Sequence, residues 1–201
     1  MVNKNFIDEY FEDMEKIIKE VSRDEIKKMI ALLKNIKANG GRLFFLGVGG
    51  GAGNATHAVN DFRKIAGFEA YSPTDNVSEL TARINDDGWE TVFVNWLKVN
   101  RICNKDGIFV FSVGGGNIEK NISVNLIRAV EYAKEVKAKV MGVVGRDGGY
   151  IGKAADVCVI VPPVNKETVT PHTESFQAVI WHLIVSHPDI KKFEMKWESV
   201  K

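Results

Sequence analysis

The hydrophobic residues of the chain form short apolar runs, separated by longer segments in which apolar positions recur every three or four residues. Short runs of this kind are typical of buried strands, and the longer spacing is typical of amphipathic helices. Apolar strands that alternate with helices indicate a parallel sheet covered on both faces, which right-handed crossovers wind into a three-layer α/β domain. The runs predict strands at 43–46, 67–73, 108–113, 139–145 and 156–161.

Two amphipathic segments precede the first strand, and the first of them carries apolar residues on more than one side. Such a helix often packs against a second subunit as well as its own core, so we expect residues 1–40 to contribute to oligomer packing. The proline-containing segment 162–172 is expected to be a loop, and the charged tail 189–201 gives no clear pattern. The periodicity predicts helices at 3–21, 24–38, 52–65, 76–85, 88–101, 120–136, 150–155 and 173–186.

Two glycine-rich turns follow predicted strands. The segment 47–53 reads Gly-Val-Gly-Gly-Gly-Ala-Gly, and the segment 114–116 is Gly-Gly-Gly. Glycines before a helix let an anion approach the backbone N–H groups closely, and ligands of parallel sheets bind at the carboxyl ends of the strands. Neither turn has the spacing of a Walker loop or a dinucleotide fingerprint. The turns therefore indicate a small anionic ligand, although 47–53 could also be a plain connection.

The composition limits the kinds of molecule that the protein is expected to bind. The 201 residues suit one domain, and the formal net charge of +1 gives no global attraction for nucleic acid or an anionic membrane. The acidic N-terminus does not resemble a signal peptide, and no apolar run approaches the roughly 18 residues of a membrane span. Cys103 and Cys158 fit neither a disulfide framework nor a Cys-x-x-Cys site. We expect a cytoplasmic protein without membrane or direct nucleic-acid partners.

The motifs taken together resemble the SIS (sugar isomerase) domain, and within it the phosphoheptose isomerase family. The resemblance implies a single flavodoxin-like SIS domain over 1–201 with a five-stranded parallel sheet. It also implies a homotetramer with sites between subunits, and sedoheptulose 7-phosphate as the substrate. The segments that carry the resemblance are 47–52 with His57, 74–77, 80–86, 112–117, 145–149 and 156–162.

The same resemblance implies a set of site residues. Asp61 would be the catalytic base and His182 the acid, and both would join His57 and Glu174 around a metal ion, for which zinc is the candidate. His57 and Asp61 lie four residues apart and share a helix face, which is also the geometry of an ordinary helix pair. Glu174 and His182 are separated by about 12 Å of helix, a wide gap for two ligands of one ion. The residues expected to bind substrate are Gly49, Gly50, Gly51, Asn54, Asp86, Ser112, Gly114, Gly115 and Asn117.

The chain departs from the family pattern at the phosphate-binding turns. Val48 and Gly51 replace Asn and Ser in the first turn, and only Ser112 remains of the hydroxyls that begin the second. A few residues are inserted at about 118–124. Charge-assisted hydrogen bonds from hydroxyls are worth about 1–3 kcal/mol each, so the phosphate is held differently or the ligand differs.

Three hypotheses follow. The first is an isomerase that makes D-glycero-D-manno-heptose 7-phosphate from sedoheptulose 7-phosphate by enediol acid–base chemistry, as in heptose synthesis for surface polysaccharides. The second is a non-catalytic SIS-type regulator that binds a sugar phosphate or a protein such as the bacterial replication initiator. The third is an isomerase or epimerase that acts on another phosphosugar.

Overall fold

The computed structural model describes residues 5–195, which form a parallel five-stranded sheet between two layers of helices. The strand order is β2-β1-β3-β4-β5. Strand β2 lies on one side of β1 and strands β3 to β5 follow on the other, so the order of the strands reverses between β1 and β3. This order is the flavodoxin-like one and confirms the predicted three-layer fold. The strands are β1 Leu43–Gly47, β2 Ala70–Tyr71, β3 Gly107–Ser112, β4 Lys139–Val144 and β5 Val157–Ile160.

The helices follow the predicted pattern with three shifts. The helix predicted at 88–101 spans only Val92–Val99, because Gly88 caps the preceding helix and the chain turns before Thr91. The last helix begins at Val169 and includes Pro171, because a proline in the first turn of a helix removes no intrahelical hydrogen bond. The helix after β3 begins at Val124, since Asn117 and Ile122 pair as a short antiparallel bridge before it. The helices are α1 Phe6–Glu20, α2 Arg23–Ala38, α3 Gly50–Lys64, α4 Val77–Asp87, α5 Val92–Val99, α6 Val124–Glu135, α7 Gly149–Ala154 and α8 Val169–Ser186.

Each face of the sheet has its own hydrophobic cluster. On one face Phe45 and Phe109 pack against α2, α3 and α8, where Trp181 is fully buried. On the other face Phe44 and Val110 pack against α5, α6 and α7. Strands that are buried on both sides explain the continuous apolar runs in the sequence. At about 1.5–3 kcal/mol for each large side chain removed from water, these two clusters hold the layers together.

Helix α1 lies against α8 and the loop that precedes it. Ile17 is fully buried, and the Asp13 carboxylate accepts a hydrogen bond of 2.7 Å from the Asn165 side-chain amide. The Tyr10 ring lies 4.2 Å from the ring of the buried His172. The other side of α1 exposes large apolar residues, which agrees with the two-sided pattern seen in the sequence. These exposed residues are Phe6, Ile7, Phe11 and Ile18.

An ion pair between the buried Asp106 carboxylate and the partly exposed Arg42 guanidinium ties β1 to β3 at the end of the sheet opposite the glycine turns. The Arg42 guanidinium donates to both oxygens of Asp106, at 3.3 and 2.8 Å, and the backbone N–H groups of Arg42 and Cys103 also donate to this carboxylate. Burial by itself raises the pKa of Asp106, but these hydrogen bonds outweigh it and hold the pKa below its usual value of 3.8. The charged form is therefore favoured by the fold.

Asp106→Asn is expected to lower the free energy of unfolding by about 2–4 kcal/mol, because it leaves Arg42 facing a neutral group in a buried position. Since folding lowers the pKa, the contribution of Asp106 is complete above its unfolded-state pKa and is lost as the pH falls through the folded value. Urea unfolding of the parent and of Asp106→Asn at pH 7 and near pH 3 measures the free energy of unfolding. The difference in this free energy between the two proteins should be smaller at the lower pH.

The matched control is Glu131→Gln, which removes one partner of the exposed Arg128–Glu131 pair. Exposed pairs contribute about 0–1 kcal/mol, so this variant should unfold almost like the parent. If the free energy of unfolding fell equally in Asp106→Asn and Glu131→Gln, the role given to Asp106 would be contradicted.

Candidate functional site

A cavity of about 1240 Å³ opens at the carboxyl ends of β3 and β4. Its wall includes Val48, which follows β1, so the cavity lies where the strand order reverses. This is the position at which open α/β sheets bind ligands. Three of the residues expected to contact substrate, Ser112, Gly114 and Asn117, line the cavity. The second glycine turn is thus part of a ligand-sized space.

The first glycine turn has a packing role. A side chain at Gly47 would overlap the Gly51 carbonyl, and one at Gly51 would lie 2.7 Å from the carbonyl oxygen of Phe111. The N–H groups of Gly51 and Ala52 already donate to the carbonyls of Val48 and Gly49. These glycines let α3 start directly on β1 and β3. None of Gly49, Gly50 and Gly51 is among the residues that line the cavity.

Glu174 lies beside this first turn. A Cβ built on Gly50 would overlap the Glu174 carboxylate, which therefore stands at the N-terminus of α3. An anion placed there would meet a negative charge, so the expected phosphate position at Gly50 is already taken by a side chain of the protein. This placement also keeps Glu174 away from His182, because the two lie eight residues, or about 12 Å, apart on α8. The described residues that cluster as metal donors do not include Glu174.

The remaining substrate-binding candidates have other contacts. The Asn54 amide donates to the Glu174 carbonyl at 3.0 Å and to Gln177 Oε1 at 2.9 Å, which joins α3 to α8. Gly115 is buried, and a side chain there would overlap the Gly148 carbonyl. Asp86 is exposed on α4, where it accepts a hydrogen bond from Asn85. These three residues are not among those that line the cavity.

A second feature brings three candidate residues together between α3 and α8. The Asp61 carboxylate is 3% exposed, and its Oδ2 lies 3.7 Å from His182 Nε2 and 4.0 Å from His57 Nε2. Oδ1 of Asp61 accepts a hydrogen bond of 2.8 Å from the Asn60 amide. His182 Nδ1 lies 2.8 Å from the Ala178 carbonyl, which fixes its proton on Nδ1 and turns Nε2 toward Asp61. We call His57, Asp61 and His182 the triad.

The triad suits a cation. Asp61 Oδ2 is buried and has no hydrogen-bond partner among residues 5–195. A buried carboxylate oxygen is costly unless a positive charge or a donor pairs with it. The three ligand atoms lie within 4.8 Å of one another, and small side-chain rotations reach the separation of about 3.3 Å found in tetrahedral metal sites. The hydrogen bond that His182 Nδ1 donates to the Ala178 carbonyl is the kind that metal-binding histidines make. Three protein donors leave a coordination position open to a ligand.

The cavity and the triad are separate within one chain. No triad residue lines the cavity, and Asp61 lies eleven residues, or about 16 Å, along α3 from its first residue, Gly50. The His57 and His182 side chains are 58% and 41% exposed, so the triad opens to the outer surface of α3 and α8. The sequence predicted both features but not their separation. It also missed Asn60 and the Ala178 carbonyl, for which the sequence carries no signal beyond adjacency.

The fold is a three-layer α/β domain with a ligand-sized cavity at the carboxyl ends of its strands. The chain belongs to the SIS domain family, whose model matches residues 9–145. Among its relatives are phosphoheptose isomerases. The enzyme of Aneurinibacillus thermoaerophilus is 32% identical over 168 residues, which cover 81% of this chain and 79% of that protein. The enzyme of Helicobacter pylori strain ATCC 700392 / 26695 is 28% identical over 189 residues and 92% of each chain.

The solved structures agree on the fold. The structure of a phosphoheptose isomerase from Francisella tularensis has a TM-score of 0.79 to this chain, with 22% sequence identity, and covers 92% of this chain and 97% of that one.

Within residues 5–195, no helix has both the length and the apolar character required to cross a bilayer.

Asp61→Asn is expected to weaken binding of Zn²⁺ or Co²⁺ by at least about tenfold, because it removes the buried charge that faces both imidazoles. Isothermal titration with Zn²⁺ measures the affinity, and the visible spectrum of bound Co²⁺ reports tetrahedral coordination. His187→Gln is the matched control, since His187 lies outside the triad on the same helix end. Equal metal affinity in all three proteins would exclude the triad as the site.

Proposed function

We propose that the protein is a phosphosugar isomerase that converts sedoheptulose 7-phosphate into D-glycero-D-manno-heptose 7-phosphate. The observation that carries this proposal is the buried Asp61 carboxylate held between two imidazoles, on the scaffold of a family that includes phosphoheptose isomerases. A base and an acid that face one another across a few ångströms are what a proton transfer between adjacent carbons requires.

The reaction moves hydrogen without any net oxidation. A base removes a proton from C1 of the ketose while the carbonyl oxygen on C2 gains one, which gives an enediol with a C1–C2 double bond. Return of a proton to C2 and loss of the proton from the C1 hydroxyl then give the aldehyde. Because both steps use the same two carbons, one base and one acid serve in both directions.

Asp61 takes the role of the base and His182 that of the acid in this proposal. The Asn60 amide holds one oxygen of Asp61, so the other oxygen is left to accept the proton. The bond from His182 Nδ1 to the Ala178 carbonyl keeps Nε2 directed at the same place, and Nε2 acts as the acid in the doubly protonated form of the ring. Zinc is the metal proposed for the triad, where His57, Asp61 and His182 would hold it. A bound ion would polarise the carbonyl of the sugar in place of the proton that His182 otherwise supplies.

The separation of cavity and triad favours an assembly that brings them together from different copies. The surface beside His182 on α8 is apolar, since Val179 and Leu183 are 50% and 45% exposed. The outer face of α1 is apolar as well. Surfaces of this kind on one side of a protein indicate contact with another protein. We therefore propose a homotetramer in which the cavity of one copy faces the triad of another.

His182→Gln is expected to lower kcat for aldose formation by about 100-fold or more, because a positioned acid contributes roughly 10²–10⁴-fold. Incubation of the parent with sedoheptulose 7-phosphate in D₂O should also place deuterium on the reacting carbons, which NMR detects together with the aldose.

His187→Gln should retain full activity and serves as the control. Tight binding of the sugar phosphate without aldose or deuterium incorporation, with or without added Zn²⁺, would contradict the enzymatic proposal and favour the binding regulator.

Phe11→Glu is expected to shift the protein in solution from the tetramer toward smaller species, because Phe11 is 61% exposed and contributes to the apolar face of α1. Light scattering after size exclusion measures the mass. Val99→Glu, at an equally exposed residue on the opposite helical layer, should leave the mass unchanged. A parent protein that is monomeric at micromolar concentration would remove the basis for shared sites.

A further inference from the structure

The wall of the cavity is cationic in a protein whose overall charge is close to neutral. Four cationic side chains line it against two carboxylates, those of Glu119 and Asp147. None of the four cations forms an ion pair or a side-chain hydrogen bond with another residue in the range 5–195. Unpaired positive charge that converges on one concave space indicates an anionic ligand. The four are Lys120, Arg146, Lys153 and Lys166.

Arg146 stands directly over the second glycine turn. A Cβ added to Gly114 would lie 3.7 Å from Arg146 Cδ and 3.9 Å from its Nε. The guanidinium stem therefore occupies the space next to position 114, where the family pattern has a hydroxyl side chain. Arg146 has a φ of 52°, a backbone conformation that few residues other than glycine adopt. This strained position nevertheless holds an arginine. A guanidinium can donate two hydrogen bonds to one phosphate.

Lys120 comes from the inserted segment. The bridge between Asn117 and Ile122 closes this segment, and the Asn117 side chain accepts a hydrogen bond from the Lys120 backbone N–H at 2.9 Å. The insertion is thus a defined turn that projects one lysine into the cavity wall. Ser123, the residue before α6, makes no capping hydrogen bond, so its hydroxyl is free for a ligand.

We propose that Arg146 and Lys120 bind the phosphate of the ligand, with the hydroxyls of Ser112 and Ser123, and so replace the hydroxyl-rich turn that this chain has lost. Ser112 accepts a hydrogen bond from the Gly115 N–H at 3.1 Å, which leaves its own proton available to donate. The phosphate lies in the cavity at the end of β3, and not on the first glycine turn, where Glu174 already stands. This proposal rests on the proposed function only for the identity of the sugar.

Inorganic phosphate is the probe that separates the two proposals. Arg146→Gln and Lys120→Gln are each expected to weaken phosphate binding to the purified protein by about 10- to 100-fold, the effect of one charge-assisted contact. Calorimetric titration measures the affinity at low salt. Arg128→Gln is the matched control, because Arg128 is an exposed cation on α6 outside the cavity, and it should bind phosphate like the parent.

A rescue variant tests the replacement itself. Gly114→Ser in the Arg146→Gln background should regain part of the lost affinity, because a Cβ at position 114 makes only ordinary van der Waals contacts and a hydroxyl side chain therefore fits there. With sedoheptulose 7-phosphate as substrate, both cation variants should raise KM by a larger factor than they lower kcat.

Unchanged phosphate affinity in both Arg146→Gln and Lys120→Gln would overturn this proposal even if the protein isomerises the sugar. Lowered phosphate affinity in a protein that shows no turnover would support it and count only against the proposed reaction. Phosphate binding that Glu174→Gln strengthens, while the two cation variants leave it unchanged, would place the anion on the first glycine turn and overturn it as well.

Discussion

The position of α3 on the sheet depends on a backbone contact that admits no side chain. Gly47 and Gly51 let the first turn of α3 rest on β1 and on the Phe111 carbonyl. From that fixed start, the helical repeat determines where Asp61 and His57 lie. The Asn54 amide then joins α3 to α8 through Gln177, whose own amide donates to the Val143 carbonyl of β4 at 3.2 Å. The glycines that suggested a phosphate site therefore fix the position of the helix that carries His57 and Asp61.

The triad contains a buried negative charge that the described residues only partly compensate. The fold buries the Asp61 carboxylate and gives one of its oxygens no donor among the described residues, while two half-exposed imidazoles face it. A buried carboxylate in this situation requires a cation or a proton, and both are useful in moving hydrogen between carbons. The position of Glu174 has the opposite effect, because its negative charge at the start of α3 makes that helix end unfavourable for an anion.

In the proposed phosphate site, cationic side chains take the place of the hydroxyl side chains of the family pattern. Val113 and Gly114 bring no hydroxyl to the second turn, yet an arginine lies over Gly114 and an inserted turn adds a lysine. The net charge does not reveal this arrangement, because four cations and two carboxylates on one wall are a small part of the 27 basic and 26 acidic residues of the chain. Phosphate recognition by cations is also more sensitive to salt than recognition by hydroxyls.

The sequence by itself determined the parallel three-layer fold, the positions of β1, β3, β4 and β5, and the shared face of His57 and Asp61, because periodicity and helix spacing act over a few residues. It made β2 too long, since only Ala70–Tyr71 pair with β1. It also misplaced the starts of α5, α6 and α8, the last because a proline is tolerated in a first helical turn. Only the tertiary structure decided that His182 joins Asp61 while Glu174 does not, that Arg146 covers Gly114, and that the cavity and the triad lie apart. Those relations join residues that are far apart in the chain, and they depend on how helices pack on the sheet, which no local pattern encodes.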